Sequence, residues 1–146
     1  MENWKISAIE KLKQYEAKRQ ALDIIPMQIA EIESTMISIR SGTYIFPISG
    51  GKSTGKEDML LSCIVQKEEL LRNLDRVKLW IEFMEKGLSI LDEDERLVLD
   101  RFFIHPAKGN VDRLCGELFI EQSQVYKRRD KALRRFTLAI YGCMES

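Results

Sequence analysis

The sequence predicts an all-α protein, with a long N-terminal helical hairpin or coiled coil followed by a C-terminal domain of short helices. Three observations carry this. Apolar residues recur every three or four positions over two long stretches before residue 87, the period of one helix face. Glycine, serine and proline gather between those stretches at 41–56, where a hairpin needs its connection. After Gly87 the pattern breaks into shorter apolar groups, punctuated by Pro106 and Gly109, as in a compact module of short helices.

Residues 4 to about 40 place Ile9, Leu12, Tyr15, Leu22, Ile25, Ile29, Ile32, Met36 and Ile39 near the heptad-like spacing of a coiled-coil seam. Pro26 falls inside this stretch and is expected to kink the helix or start a second one. It removes one hydrogen bond and clashes with the preceding turn. A second stretch, from about 58 to 86, carries Leu60, Ile64, Leu71, Leu74, Val77, Ile81 and Met84. Two such helices joined by a flexible segment make an antiparallel hairpin or coiled coil. Between them, Tyr44-Ile45-Phe46 could form a short extended piece, and the remainder reads as an exposed loop. Apolar stripes this long must pair with each other, with a second chain or with the C-terminal domain. The expected arrangement is a hairpin whose remaining apolar edge makes a homodimer. The division is therefore 1–87, a helical arm with a flexible loop at 41–56, and 88–146, a separate domain.

In that domain, Gly87 is a plausible helix stop. Asp92-Glu93-Asp94-Glu95 then offers an N-cap acid, a Glu at the third following position and acids over the first turn. The helix they start, 92–104, buries Val98, Leu99, Phe102 and Phe103. Asn110 is expected to cap a helix over 111–118 with Val111, Leu114, Cys115 and Leu118 inward. A tight turn at Phe119-Ile120-Glu121 leads into the last helix. Short helix, turn, longer helix is the helix-turn-helix layout.

The last helix is basic. Six cations and one acid lie between Gln122 and Phe136, in a chain whose formal net charge is zero. Val125, Ala132, Leu133, Phe136 and Ile140 supply a packing face, so the cations project from the others. Residues 88–146 hold ten cations and ten acids, so the basic character belongs to this one helix. A basic helix pinned to a small core suits the major groove of double-stranded DNA. Gln122, Ser123, Gln124, Lys127, Arg128 and Lys131 are the candidate base contacts. Arg134 and Arg135, farther along, are candidates for phosphates. Tyr126 reads as an edge residue of the core.

Composition narrows the alternatives. With 45% apolar and 32% charged residues the chain is neither disordered nor fibrous. Cys63, Cys115 and Cys143 show no CxxC spacing and read as reduced thiols. The one histidine, His105, gives a metal site or a nucleophilic triad almost nothing to work with, so no metal, cofactor or catalytic residue is expected. The N-terminus lacks the basic start and apolar run of a secretion signal. No stretch approaches the ~20 apolar residues of a membrane span. A cytoplasmic location away from membranes is the expectation. Gly50-Gly51-Lys52-Ser53-Thr54-Gly55-Lys56 invites a phosphate-loop reading, but the Ser or Thr that would hold magnesium is Glu57 and no strand precedes it. It reads as linker.

Residues 88–136 resemble region 4 of bacterial sigma factors and related phage regulators. The matching positions are Leu88, Leu91, Glu95-Arg96, Val98-Leu99 and Phe102-Phe103, then Leu114-Cys115, Leu118 and Ile120, then Ser123, Val125-Tyr126, Arg128 and Ala132-Leu133. With the helical N-terminal half, the glycine-rich loop and Ile140-Tyr141-Gly142, the chain looks like a phage-encoded transcriptional regulator of the ArpU-like group. That resemblance implies sequence-specific DNA binding and control of phage late genes in a bacterial host, and the N-terminal helices would form an arm for dimerisation or for a partner such as RNA polymerase. Two positions depart from the pattern: Phe119 stands where such turns often have glycine, and Glu121 where Ser or Thr usually caps. A carboxylate at 121 can still accept from helix amides. The rival expectation is a helical scaffold, or a phage DNA-packaging subunit with weak DNA binding.

Overall fold

The structure is a computed structural model that describes residues 3–45 and 55–144. The described residues are all-α: α1 Trp4–Ser41, α2 Lys56–Ser89, α3 Glu93–Leu99 running into a π-helical turn Asp100–Ile104, α4 Asn110–Leu118 and α5 Gln122–Tyr141. Residues 46–54, which hold Phe46 and most of the glycine-rich segment, lie outside the described residues. No helix among those described is long and apolar enough to cross a membrane.

The Asn3 side chain starts α1, its Oδ1 accepting from the amides of Lys5 and Ile6 at 3.0 and 3.3 Å. α1 then runs as one helix through Pro26, so no second helix starts there. Pro26 is exposed, so water can serve the carbonyl that loses its donor.

The chain divides into two compact units, one formed by Arg19–Leu79 and the other by Met1–Lys18 with Trp80–Ser146. Residues 80–87 and 1–18, which the sequence assigned to the arm, thus share a unit with the C-terminal helices.

Within Arg19–Leu79 the two long helices run antiparallel. Glu33 pairs with Lys67 at 3.1 Å, and Lys56 Nζ donates to the Arg40 carbonyl at 3.4 Å. Met36, Ile39 and Cys63 form the buried cluster, with Ile32, Tyr44, Met59 and Leu60 packed on it. Ile64 and Leu71, expected in the seam, are 38% and 42% exposed, whereas Cys63 and Leu74 are buried. The seam steps alternately by three and four residues from Leu60 through Cys63, Lys67 and Leu70 to Leu74, which leaves positions 64 and 71 one place off it.

The other unit has the deeper core. Ala8 and Leu12 from α1, Met84 from α2, and Val98, Leu99, Leu114, Val125, Ala132, Leu133 and Phe136 from the following helices are all fully or almost fully buried. Tyr15 Oη donates to Glu85 at 3.2 Å, and the Trp4 and Tyr141 rings lie 4.6 Å apart. Gly87 does not stop α2, which continues to Ser89. A Cβ there would meet Ile140 Cγ2 at 2.5 Å and Phe136 Cε1 at 3.1 Å, so at Gly87 side chains of α5 lie directly against α2.

α3 opens with the full reciprocal cap expected of it. Asp92 Oδ1 accepts from the Glu95 amide at 2.8 Å, and Glu95 Oε1 accepts from the Asp92 amide at 3.3 Å. The bond from the Glu95 amide holds the Asp92 carboxyl below its ordinary pKa. The π-helical turn closes with the His105 amide donating to the Asp100 carbonyl at 2.7 Å. Phe102 and Phe103, expected to be buried, are only half-buried on this turn. Asn110 does not cap α4; Gly109 does so at φ +78°, and the Asn110 amide group instead donates to the Arg101 carbonyl of the turn. A second small cluster of Val98, Leu114 and Val125 ties α3, α4 and α5 together.

Candidate nucleic-acid interface

α4, the turn at 119–121 and α5 form a helix-turn-helix whose inner faces meet through Leu114 and Val125. The turn is unusual for its residue type. Phe119 has φ 56° and ψ 46°, a left-handed conformation that costs a non-glycine residue about 1–2 kcal/mol. Its ring is 93% exposed, so burial does not offset that cost. α4 ends there because the Phe119 amide, and that of Ile120 at 3.2 Å, turn back to the Cys115 carbonyl.

At the start of α5 the Glu121 carboxylate makes no capping bond, contrary to the expectation for that position. Only its backbone carbonyl serves, accepting from the Gln124 amide at 3.0 Å and the Val125 amide at 3.2 Å. The first amides of α5 thus receive no side-chain cap, while the Glu121 carboxylate still complements the positive end of the helix dipole as a charge.

Of the predicted contact residues, Gln122, Ser123, Gln124, Lys127, Lys131 and Arg134 are exposed. Gln124, Lys127, Lys131 and Arg134 are spaced by three or four residues and so line one face. The face opposite carries Val125, Ala132, Leu133, Phe136 and Thr137, all buried.

Three of the six cations are held within the protein. Arg128 Nη1 donates to Asp94 Oδ2 at 3.3 Å. Arg129 pairs with Asp130 at 3.0 Å, and its guanidinium lies over the Phe102 and Tyr126 rings at 5.2 and 5.1 Å from their centroids. Arg135 reaches back to the buried Glu95 carboxylate and donates from Nη2 to the Ile90 carbonyl at 3.0 Å. It fastens α5 to the start of α3. Lys127, Lys131 and Arg134 form no ion pair with a described residue.

Two neighbours of this face had no signal in the sequence. The acids at the start of α3 lie beside the middle of α5, where Asp92, Asp94, Glu95, Arg128 and Lys131 line a concavity of about 270 Å³. Lys5 of α1 shares a wider one, about 490 Å³, with Arg134, Asp130 and Met144. Both juxtapositions come from tertiary packing, and no motif or spacing announces them. Tyr126 sits at the core edge as expected, its ring 6.0 Å from that of Phe102. Among the described residues, no cluster of three or more His, Cys, Asp or Glu is arranged for a metal ion. Comparison with family models, with curated proteins and with solved structures finds no match to this chain.

Proposed function

We propose that this chain is a sequence-specific DNA-binding transcriptional regulator, not an enzyme, that reads double-stranded DNA with α5. One observation carries the reading: the second helix of a helix-turn-helix buries one face in the core and presents Gln124, Lys127, Lys131 and Arg134 along the other. Amide and cationic side chains in that order suit base edges first and phosphates beyond. The resemblance to sigma region 4 and to ArpU-like phage regulators extends the proposal to phage late genes in the cytoplasm of a bacterial host. The long helices then act as an arm for a second copy or for RNA polymerase.

In vitro selection of duplexes by the full chain, followed by a salt series on selected and random duplexes, tests this. A regulator keeps a selected-to-random affinity ratio of about 10³ or more at physiological salt. Each cation that meets a phosphate should add about 0.9 to the log–log salt slope, so Arg134→Ala should flatten it by about that amount. Lys127→Ala with Lys131→Ala should weaken selected-site binding at least tenfold at unchanged helicity. Retention of full affinity would remove α5 from the interface. A helical scaffold or packaging subunit with weak DNA binding is the second reading. The internal pairing of Arg128, Arg129 and Arg135 favours it, and it requires a ratio near one.

A further inference from the structure

Among the acids beside α5, Asp94 differs from its neighbours in what it does. Asp92 is engaged in capping α3, and Glu95 completes that cap and takes Arg135. Asp94 has neither task. Its partner is Arg128, one of the candidate base contacts, through a single hydrogen bond from Nη1 at 3.3 Å. Both side chains remain substantially exposed, at 40% for Arg128 and 56% for Asp94, so the pair contributes little to folding.

Its consequence falls on recognition. A guanidinium held through Nη1 keeps its Nε–Nη2 edge available, and that edge matches two adjacent acceptors such as N7 and O6 of guanine. The same carboxylate works against a phosphate at this point, because the backbone would bring a negative charge against Asp94 in the concavity it lines with Asp92, Glu95, Arg128 and Lys131. Backbone contact dominates non-specific binding, and base-edge contact carries sequence. We propose, resting on the DNA-binding reading above, that Asp94 is a specificity-determining residue that aims Arg128 at a guanine edge and keeps it from the phosphate backbone. Arg128 touches the DNA, and Asp94 acts through it as a positioning residue.

A double-mutant cycle on the full chain tests this. Wild type, Asp94→Asn, Arg128→Ala and the double variant are each titrated with the duplex selected by wild type and with a random duplex, over a salt series. Asparagine preserves shape at a position that caps nothing; Asp94→Ser repeats the measurement, and thermal melts confirm folding. Asp94→Asn should tighten random-duplex binding, steepen the salt slope by up to ~0.9 and lower the selected-to-random ratio about tenfold. In the Arg128→Ala background the same substitution should leave the ratio unchanged. An unchanged ratio in Asp94→Asn overturns the proposal. An equal change with and without Arg128 also overturns it, since that is bulk charge alone. Failure of the underlying reading shows separately: wild type would then prefer neither duplex, before any variant is compared.

Discussion

The two faces of α5 have been put to opposite uses, and Arg134 and Arg135 mark the divide. Adjacent in sequence and identical in chemistry, they part company in the fold. Arg135 bonds the buried Glu95 and the Ile90 carbonyl, while Arg134 stays exposed without an ion pair among the described residues. Phe136 on the inner face closes on Gly87 of α2, and Arg135 on the flank fastens the helix to the start of α3. The outer face is exposed, and its Lys127, Lys131 and Arg134 form no ion pair with a described residue. A basic helix is not a uniform cation source: its unpaired cations are open to any anion, while a paired one such as Arg128 offers only the edge its partner leaves free.

The largest test of this division is Phe136→Ala. The ring is fully buried and closes on Gly87. Removing it should cost about 3–5 kcal/mol, read as a loss in the urea midpoint. A cost below about 1 kcal/mol would mean that the inner face is not the anchor.

Next comes the arginine pair. Arg135→Ala strands Glu95, which is 6% exposed and already has one carboxylate oxygen without a partner. Because the arginine side chain is itself 42% exposed, we expect about 1–3 kcal/mol, below the range for fully buried pairs. Arg134→Ala should lie within about 0.5 kcal/mol of wild type in stability while weakening DNA binding. Equal effects on stability would erase the distinction between the faces.

A smaller change, and in the other direction, is expected from Phe119→Gly. Glycine adopts φ 56° without the side-chain penalty, and the 93% exposed ring forfeits little burial. Stabilisation of about 1 kcal/mol should follow, read by thermal or urea unfolding. If the variant is instead less stable, the ring has a packing role that its exposure conceals. If it is stabilised but binds DNA less well, the strained aromatic belongs to the outer, functional surface.

The smallest effect is pH-dependent and lies away from both faces. His105 Nδ1 meets Asp100 Oδ1 at 2.8 Å, and Nε2 meets Glu16 Oε2 at 3.2 Å. The bond to Asp100, with help from Glu16, raises the imidazole pKa above its ordinary 6.5. A pKa raised by folding means that the protonated form stabilises the fold. The contribution is complete below about 6.5 and fades as the pH climbs through the folded value. Wild type should therefore lose a little stability as the pH rises above about 6.5, and His105→Gln should flatten that slope. An identical slope in the variant would remove the imidazole as its source.

The sequence by itself determined what depends on near neighbours. Apolar spacing within ten or so residues fixed the all-α class and the inner face of α5, because burial follows helical period whatever the partner. The reciprocal Asp92–Glu95 cap was legible for the same reason, its two residues lying one turn apart. Tertiary structure decided everything that joins distant segments. It put Cys63 rather than Ile64 in the seam and made Gly87 a point of close helix approach instead of a helix end. It also sent Asn110 to the Arg101 carbonyl, set Lys5 beside Arg134, and divided the six cations of α5 between internal partners and solvent. Those outcomes turn on register and on ion pairs between residues tens of positions apart. Local periodicity says that a helix has an inside and an outside; only the packed chain says which of its charges remain to be used.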